Sequence, residues 1–130
     1  MGRLAAHARE AHDRYVDAAL YREIQEALGR GEAVALATVT RARGSTPRKP
    51  GAKMLIRADG SFTGTIGGGC GEAEVWQEAM ATLEDGQPRT VVVDLTEPTD
   101  GEDKICGGVM DVFVERLAPP GCGSRTVGPT

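Results

Sequence analysis

Glycine constrains this chain more than any other residue. Eighteen of its 130 residues are glycine, and they gather at joints: Gly29 and Gly31, Gly44 and Gly51, Gly60, the stretch from Gly64 to Gly71, Gly86, and Gly107 with Gly108. A residue without a Cβ belongs where the backbone turns tightly or lies against another backbone. The fold must therefore be one of short elements closed by sharp turns. Its core has to be aliphatic, because one Trp, two Tyr and two Phe are all the aromatics there are.

The segments between these joints have legible periods. From about Tyr15 to Leu28, Leu20, Ile24 and Leu28 recur every four residues among Asp17, Arg22, Glu23, Gln25 and Glu26. That is an amphipathic helix, stopped by Gly29-Arg30-Gly31. Ala33 to Val39 is a short apolar run, the pattern of a strand covered on both faces. Lys53 to Arg57 and Ser61 to Ile66 flank Asp59-Gly60, a hairpin signal. Glu72 to Leu83 carries Val75, Trp76, Ala79, Met80 and Leu83 on one helical stripe, closed by Asp85-Gly86 and Pro88. Thr90 to Leu95 reads as a buried valine-rich strand, and Met110, Val112 and Val114 alternate with Asp111, Phe113 and Glu115 in a last one. The order α-β-β-β-α-β-β predicts a single α+β domain over residues 1–117, a mixed β-sheet with one hairpin and helices packed on it. Ala118 to Thr130, rich in Pro and Gly, is expected to be a disordered tail.

Composition narrows the function. A chain of this length has room for one domain. Its formal net charge of −4 provides no basic excess to hold a nucleic-acid backbone. No stretch reaches the ~18 apolar residues of a membrane span, and the N-terminus lacks a secretory signal's apolar region, so a cytoplasmic location is expected. Cys70, Cys106 and Cys122 have no C-x-x-C spacing, which fits neither a disulfide framework nor a zinc ribbon; free thiols are expected. Charge is unevenly spread: Arg41, Arg43, Arg48, Lys49 and Lys53 lie in one stretch without an acid.

Three segments could carry chemistry. Gly44-Ser45-Thr46-Pro47-Arg48-Lys49-Pro50-Gly51 is a cationic loop in which Arg48 could present a bidentate fork to an anion; a merely solvated charged loop would look the same. Gly64-Thr65-Ile66-Gly67-Gly68-Gly69-Cys70-Gly71-Glu72 is a strand-to-helix junction, where bare amides and the helix dipole suit a phosphate or pterin oxyanion. It matches neither G-x-G-x-x-G nor a P-loop, and the same glycines could serve only close packing of strand on helix. Ile105-Cys106-Gly107-Gly108 is the third. Cys70 at a helix start tends toward thiolate character, as a soft-metal ligand or nucleophile, although a lone Cys is more often a small buried hydrophobe. Glu72 and Glu74 are accounted for by the helix dipole.

In order and spacing, these three motifs, with Lys53-Met54 and Val112-Phe113-Val114-Glu115, resemble the N-terminal domain of the XdhC/CoxI family over roughly Tyr21 to Leu117. The resemblance implies an accessory chaperone rather than a catalyst: a protein that binds the molybdenum cofactor (molybdopterin) as cargo and inserts it into a molybdenum hydroxylase such as xanthine dehydrogenase or aerobic CO dehydrogenase. On that basis the cofactor-binding residues would be Ser45, Arg48, Gly67, Gly68, Gly69, Cys70, Cys106 and Gly107, with Cys70 and Cys106 near the molybdenum. The implied partners are the apo-enzyme, a cysteine desulfurase, a separately encoded Rossmann-like domain and a second copy of the chain, with no nucleic acid and no membrane. Two other readings stand beside it: a thiol-dependent enzyme using Cys70, and a non-catalytic assembly module docking a dehydrogenase subunit.

Overall fold

The computed structural model describes residues 17–46, 48–66, 71–96 and 107–120. Helix α1 occupies residues 17–29. There follow β1 (Val34–Arg43), β2 (Lys53–Arg57), β3 (Phe62–Gly64), α2 (Glu72–Asp85), β4 (Arg89–Asp94) and β5 (Val109–Leu117). The seven expected elements are all present in the expected order. The expected tail falls almost wholly outside the described residues.

The strands form one five-stranded sheet in the order β3-β2-β1-β5-β4. Every ladder is antiparallel, where a mixed sheet was expected. The reason is topological. Helix α2 carries the chain from β3 at one edge to β4 at the other, so these two strands, which run parallel, have three strands between them and never pair.

Strand periodicity divides the core between two faces. Ala35, Ala37, Val39, Met54, Ile56, Val91, Val93, Met110, Val112 and Val114 pack with Val75 and Ala79 of α2. On the other face Val34, Leu36 and Leu55 pack with Leu20, Ile24 and Ala27 of α1. That explains the unbroken apolar start of β1, which is buried from Val34 to Ala37. Side-chain bonds tie the helices down. Arg57 donates to Glu23 of α1 and to the Thr63 hydroxyl at 2.6 Å, and Trp76 Nε1 of α2 donates to the Gly60 carbonyl of the hairpin turn at 2.9 Å.

Two strands depart from the expectation. β1 continues to Arg43 because its pairing with β5 shifts between Val39 and Arg41, a bulge that reverses which face each later residue takes. Ala42 thereby packs against the α2 core, while Arg43 bonds Asp111 on the opposite face. β4 is an edge strand and only half buried. Val91 and Val93 are interior, but Val92 is 54% exposed.

Candidate functional site

Four described segments meet at one end of the sheet: the end of β1, the start of β5, the end of β4 and the start of α2. Register places Arg43 opposite Val109 and Asp94 opposite Val109, so the loops that leave and enter these strands are neighbours.

The cationic loop and the Gly107-Gly108 pair touch backbone to backbone. A Cβ on Gly108 would lie 2.4 Å from the Ser45 carbonyl oxygen and 2.6 Å from that of Arg43. A Cβ on Gly44 would lie 3.0 Å from the Gly107 carbonyl oxygen. No side chain fits between these two peptides, which is why glycine stands on both sides. The β4 exit is stitched to the same place: Gly107 N donates to Leu95 O at 2.9 Å, and Leu95 N to Gly108 O at 2.8 Å. Asp94 caps the turn that follows β4. Its carboxylate accepts from the Thr96 hydroxyl and amide, which hold it below the usual carboxylate range.

The same loop reaches the strand-to-helix junction through Arg48. Thr46 Oγ1 donates to the Arg48 carbonyl at 2.9 Å, a local turn that directs the side chain across the hairpin, where Arg48 Nη1 donates to the Thr65 carbonyl at 3.2 Å. The Thr65 hydroxyl in turn donates to a carboxylate oxygen of Glu72. A continuous polar bridge thus runs from loop to β3 exit to the first turn of α2.

Helix α2 begins at Gly71, whose φ of 78° is left-handed and which, being glycine, offers no side-chain cap. The N–H groups of the first turn have no partner within the helix, and they sit at its positive end. A Cβ on Gly71 would come within 2.4 Å of Val93 Cγ1. This position needs glycine on both grounds, the positive φ and the close approach to β4.

Of the residues expected at the site, Arg48 is part-buried on the bridge, and Ser45 and Gly107 are exposed at the loop crossing. Gly67, Gly68, Gly69, Cys70 and Cys106 lie outside the described residues, as does Cys122. Gly71 and Gly107, which follow Cys70 and Cys106 in the chain, contact Val93 and Leu95 of the same β4 exit. Among the described residues no cluster of three His, Cys, Asp or Glu side chains could hold a metal ion, and no helix is long and apolar enough to cross a membrane. Three residues of these motifs have roles that the sequence did not assign. Gly108, not only Gly107, makes the crossing. Thr65 joins two motifs, and Glu72 has a partner besides the dipole. Thr65 lies outside α2, just after β3, so no helical period links it to Glu72 and only the tertiary arrangement brings them together.

Fold and site together define a small α+β domain, an antiparallel sheet with a helix on each face and with the loop of residues 44–51, the Gly107-Gly108 pair and the Gly71 helix start at one end. The chain belongs to the XdhC and CoxI family, whose pattern matches residues 27–94, just over half of it. It is 33% identical over 92 residues to PaoD, a molybdenum cofactor insertion chaperone of Escherichia coli K12, with 71% of this chain and 29% of PaoD covered. It is 33% identical over 89 residues to a probable xanthine dehydrogenase subunit of Bacillus subtilis 168, with 66% and 27% covered. An uncharacterized Escherichia coli K12 protein, YqeB, is 43% identical over 83 residues, with 62% and 15% covered. Among solved structures, a xanthine dehydrogenase from Bacillus halodurans superposes with a TM-score of 0.61 at 35% identity, covering 72% of this chain and 29% of that one. The chain thus spans less than a third of the length of each of these relatives.

Proposed function

We propose that this protein binds the molybdenum cofactor as cargo and assists its insertion into a molybdenum hydroxylase, acting as a chaperone and not as an enzyme. The observation that carries this reading is the convergence of Arg48, the start of α2 and the Gly107-Gly108 crossing on one end of the sheet. Molybdopterin is an anion that carries a phosphate and a polar pterin. A guanidinium and the amides at a helix start are the groups such a ligand calls for. The names borne by PaoD and the Bacillus subtilis relative point to the same chemistry. The residues assigned to the cargo are Ser45, Arg48, Gly67, Gly68, Gly69, Cys70, Cys106 and Gly107, with the two thiols toward the molybdenum. The receiving partner is the apo-hydroxylase. A cysteine desulfurase, a separate Rossmann-like domain and a second copy of the chain are further partners in this scheme, and its location is the cytoplasm.

The test is anaerobic incubation with released molybdopterin followed by gel filtration. Uptake should approach one equivalent per chain. Arg48→Ala should weaken it about tenfold, the value of one charge-assisted hydrogen bond, with an unchanged circular dichroism spectrum. Uptake no greater than that of an unrelated protein of equal charge would refute the reading.

A further inference from the structure

Helix α1 covers only part of its face of the sheet. It packs on Val34, Leu36 and Leu55, with Leu117 at the end of β5, whereas β4, most of β5 and the end of β1 carry no helix on that side among the described residues. Ladder register sets out what this open half displays. Arg43, Val109 and Asp94 form one row across β1, β5 and β4, and Arg41, Asp111 and Val92 form the next. Phe113 follows Asp111 along β5 on the same face. Val92 is 54% exposed, and Val109 and Phe113 are half-buried.

The charges of this half-face are sorted by strand, arginines on β1 and acids on β5 and β4. Asp111 is matched already, since Arg43 Nη1 and Nη2 each reach one of its carboxylate oxygens at 3.4 Å. Arg41 and Asp94 are left over. Arg41 is exposed and pairs with no acid among the described residues. The Asp94 carboxylate accepts from Thr96 and meets no cation there. Two strand spacings, about 9–10 Å, separate the columns they stand in.

We infer that this half-face is the contact surface between two copies of the chain, related by a two-fold axis along β5, with Arg41 of each copy pairing with Asp94 of the other. Turning a copy over about that axis keeps the strand direction and exchanges the β1 and β4 columns. The cationic edge of one half-face then lies over the acidic edge of the other, and Val92, Val109 and Phe113 are covered between the sheets. Asp111, nearest the axis, is neutralised by Arg43 and so sets no bare charge against its counterpart. A two-fold axis across the strands would instead bring arginine over arginine. The depth also fits: a helix is about 10–12 Å thick and stacked sheets lie about 10 Å apart, so a second sheet fills the step beside α1. Such a contact is isologous and closes at two copies. The inference goes beyond the cofactor reading and stands on its own observations.

The experiment is sedimentation velocity of the full chain over about 1 µM to 1 mM, the span of a small transient interface. Half-dissociation is expected at about 10–100 µM, so a denaturation series at about 1 µM reads the monomer, with Val92 in water. Arg41→Glu and Asp94→Lys should each raise the dissociation constant at least about tenfold, because the pair is made twice. The double variant, with the charges exchanged, should return to within about threefold of wild type. Val92→Lys, which puts a charge in the apolar centre, should abolish the dimer.

Wild-type protein that is monomeric throughout, Arg41→Glu or Val92→Lys dimerising like wild type, or a double variant no tighter than the single ones overturns the inference. Pairing through the free edge of β4 would show itself as the second of these, because β5 separates Arg41 from that edge. If Asp94→Lys does not fold, Arg41→Glu and Val92→Lys decide. Monomeric protein that takes up molybdopterin overturns this inference alone, and dimeric protein that takes up none overturns the proposed function alone.

Discussion

Gly108 shows how much a single missing Cβ can determine. With backbone oxygens of Ser45 and Arg43 at 2.4 and 2.6 Å from where that atom would stand, Gly108→Ala forces two peptides apart, and neither neighbour is a flexible side-chain tip that could yield. The expected cost is about 2–4 kcal/mol, read as a lower urea midpoint in a denaturation series. A Cβ on Gly29 would meet nothing within 4 Å. Gly29→Ala, at a position with an ordinary φ, is therefore the matched control.

Asp85 acts at the same scale through charge. Its carboxyl is lowered from 3.8 to about 2, first by the Arg89 guanidinium, which reaches Oδ2 at 2.6 Å, and then by the Gln87 amide. A carboxylate depressed in the folded state contributes stability that is complete above its unfolded pKa and is lost as pH falls through the folded one. Thermal melts between pH 4 and pH 2 should therefore show wild-type protein losing its advantage over Asp85→Asn in that window. Equal pH dependence of the two would contradict the assignment. The pair lies on the surface, so the difference should also shrink in high salt.

Among the elements, β4 is the one whose sequence misleads. Three consecutive valines suggest burial on both sides, but an edge strand with a helix on one face buries alternate residues only. Val93→Thr puts a hydroxyl into the α2 core at a position 1% exposed and should cost about 1–3 kcal/mol. Val92→Thr, at 54% exposure, should stay within about 0.5 kcal/mol of wild type. Comparable losses from both, measured by chemical denaturation, would show that something covers the outer face of β4. The bulge in β1 is a second feature beyond sequence reading. The apolar run ends at Val39, yet the strand continues, because a one-residue shift brings Ala42 inward and leaves Arg43 to pair with Asp111 across the sheet.

At the scale of the molecule, the sheet separates two cores. The α1 side holds Leu20, Ile24 and Ala27 against Val34, Leu36 and Leu55, while the α2 side holds the larger cluster next to the candidate site. Leu20 is fully buried and sits beneath the β3 exit, where a Cβ on Gly64 would come within 3.2 Å of its Cδ1. Leu20→Ala should lower stability by about 2–4 kcal/mol, followed through Trp76 fluorescence during urea unfolding. Because Trp76 belongs to the α2 side, a single coincident transition by fluorescence and circular dichroism would show that the two cores unfold together.

The amino-acid sequence by itself determined the number, order and type of elements, since each is encoded by a local period and a local stop: four-residue spacing ended by Gly29-Arg30-Gly31, a hairpin turned at Asp59-Gly60, alternation from Met110 to Val114. It also carried the three motifs on which the resemblance to the family rests. The tertiary structure alone decided that every strand pairing is antiparallel, that Ser45 crosses Gly108, and that Arg48 and Glu72 meet on Thr65. These are contacts between residues that share no period. Which peptide lies against which depends on α2 carrying the chain from one edge of the sheet to the other, a property of the whole path that no local window contains.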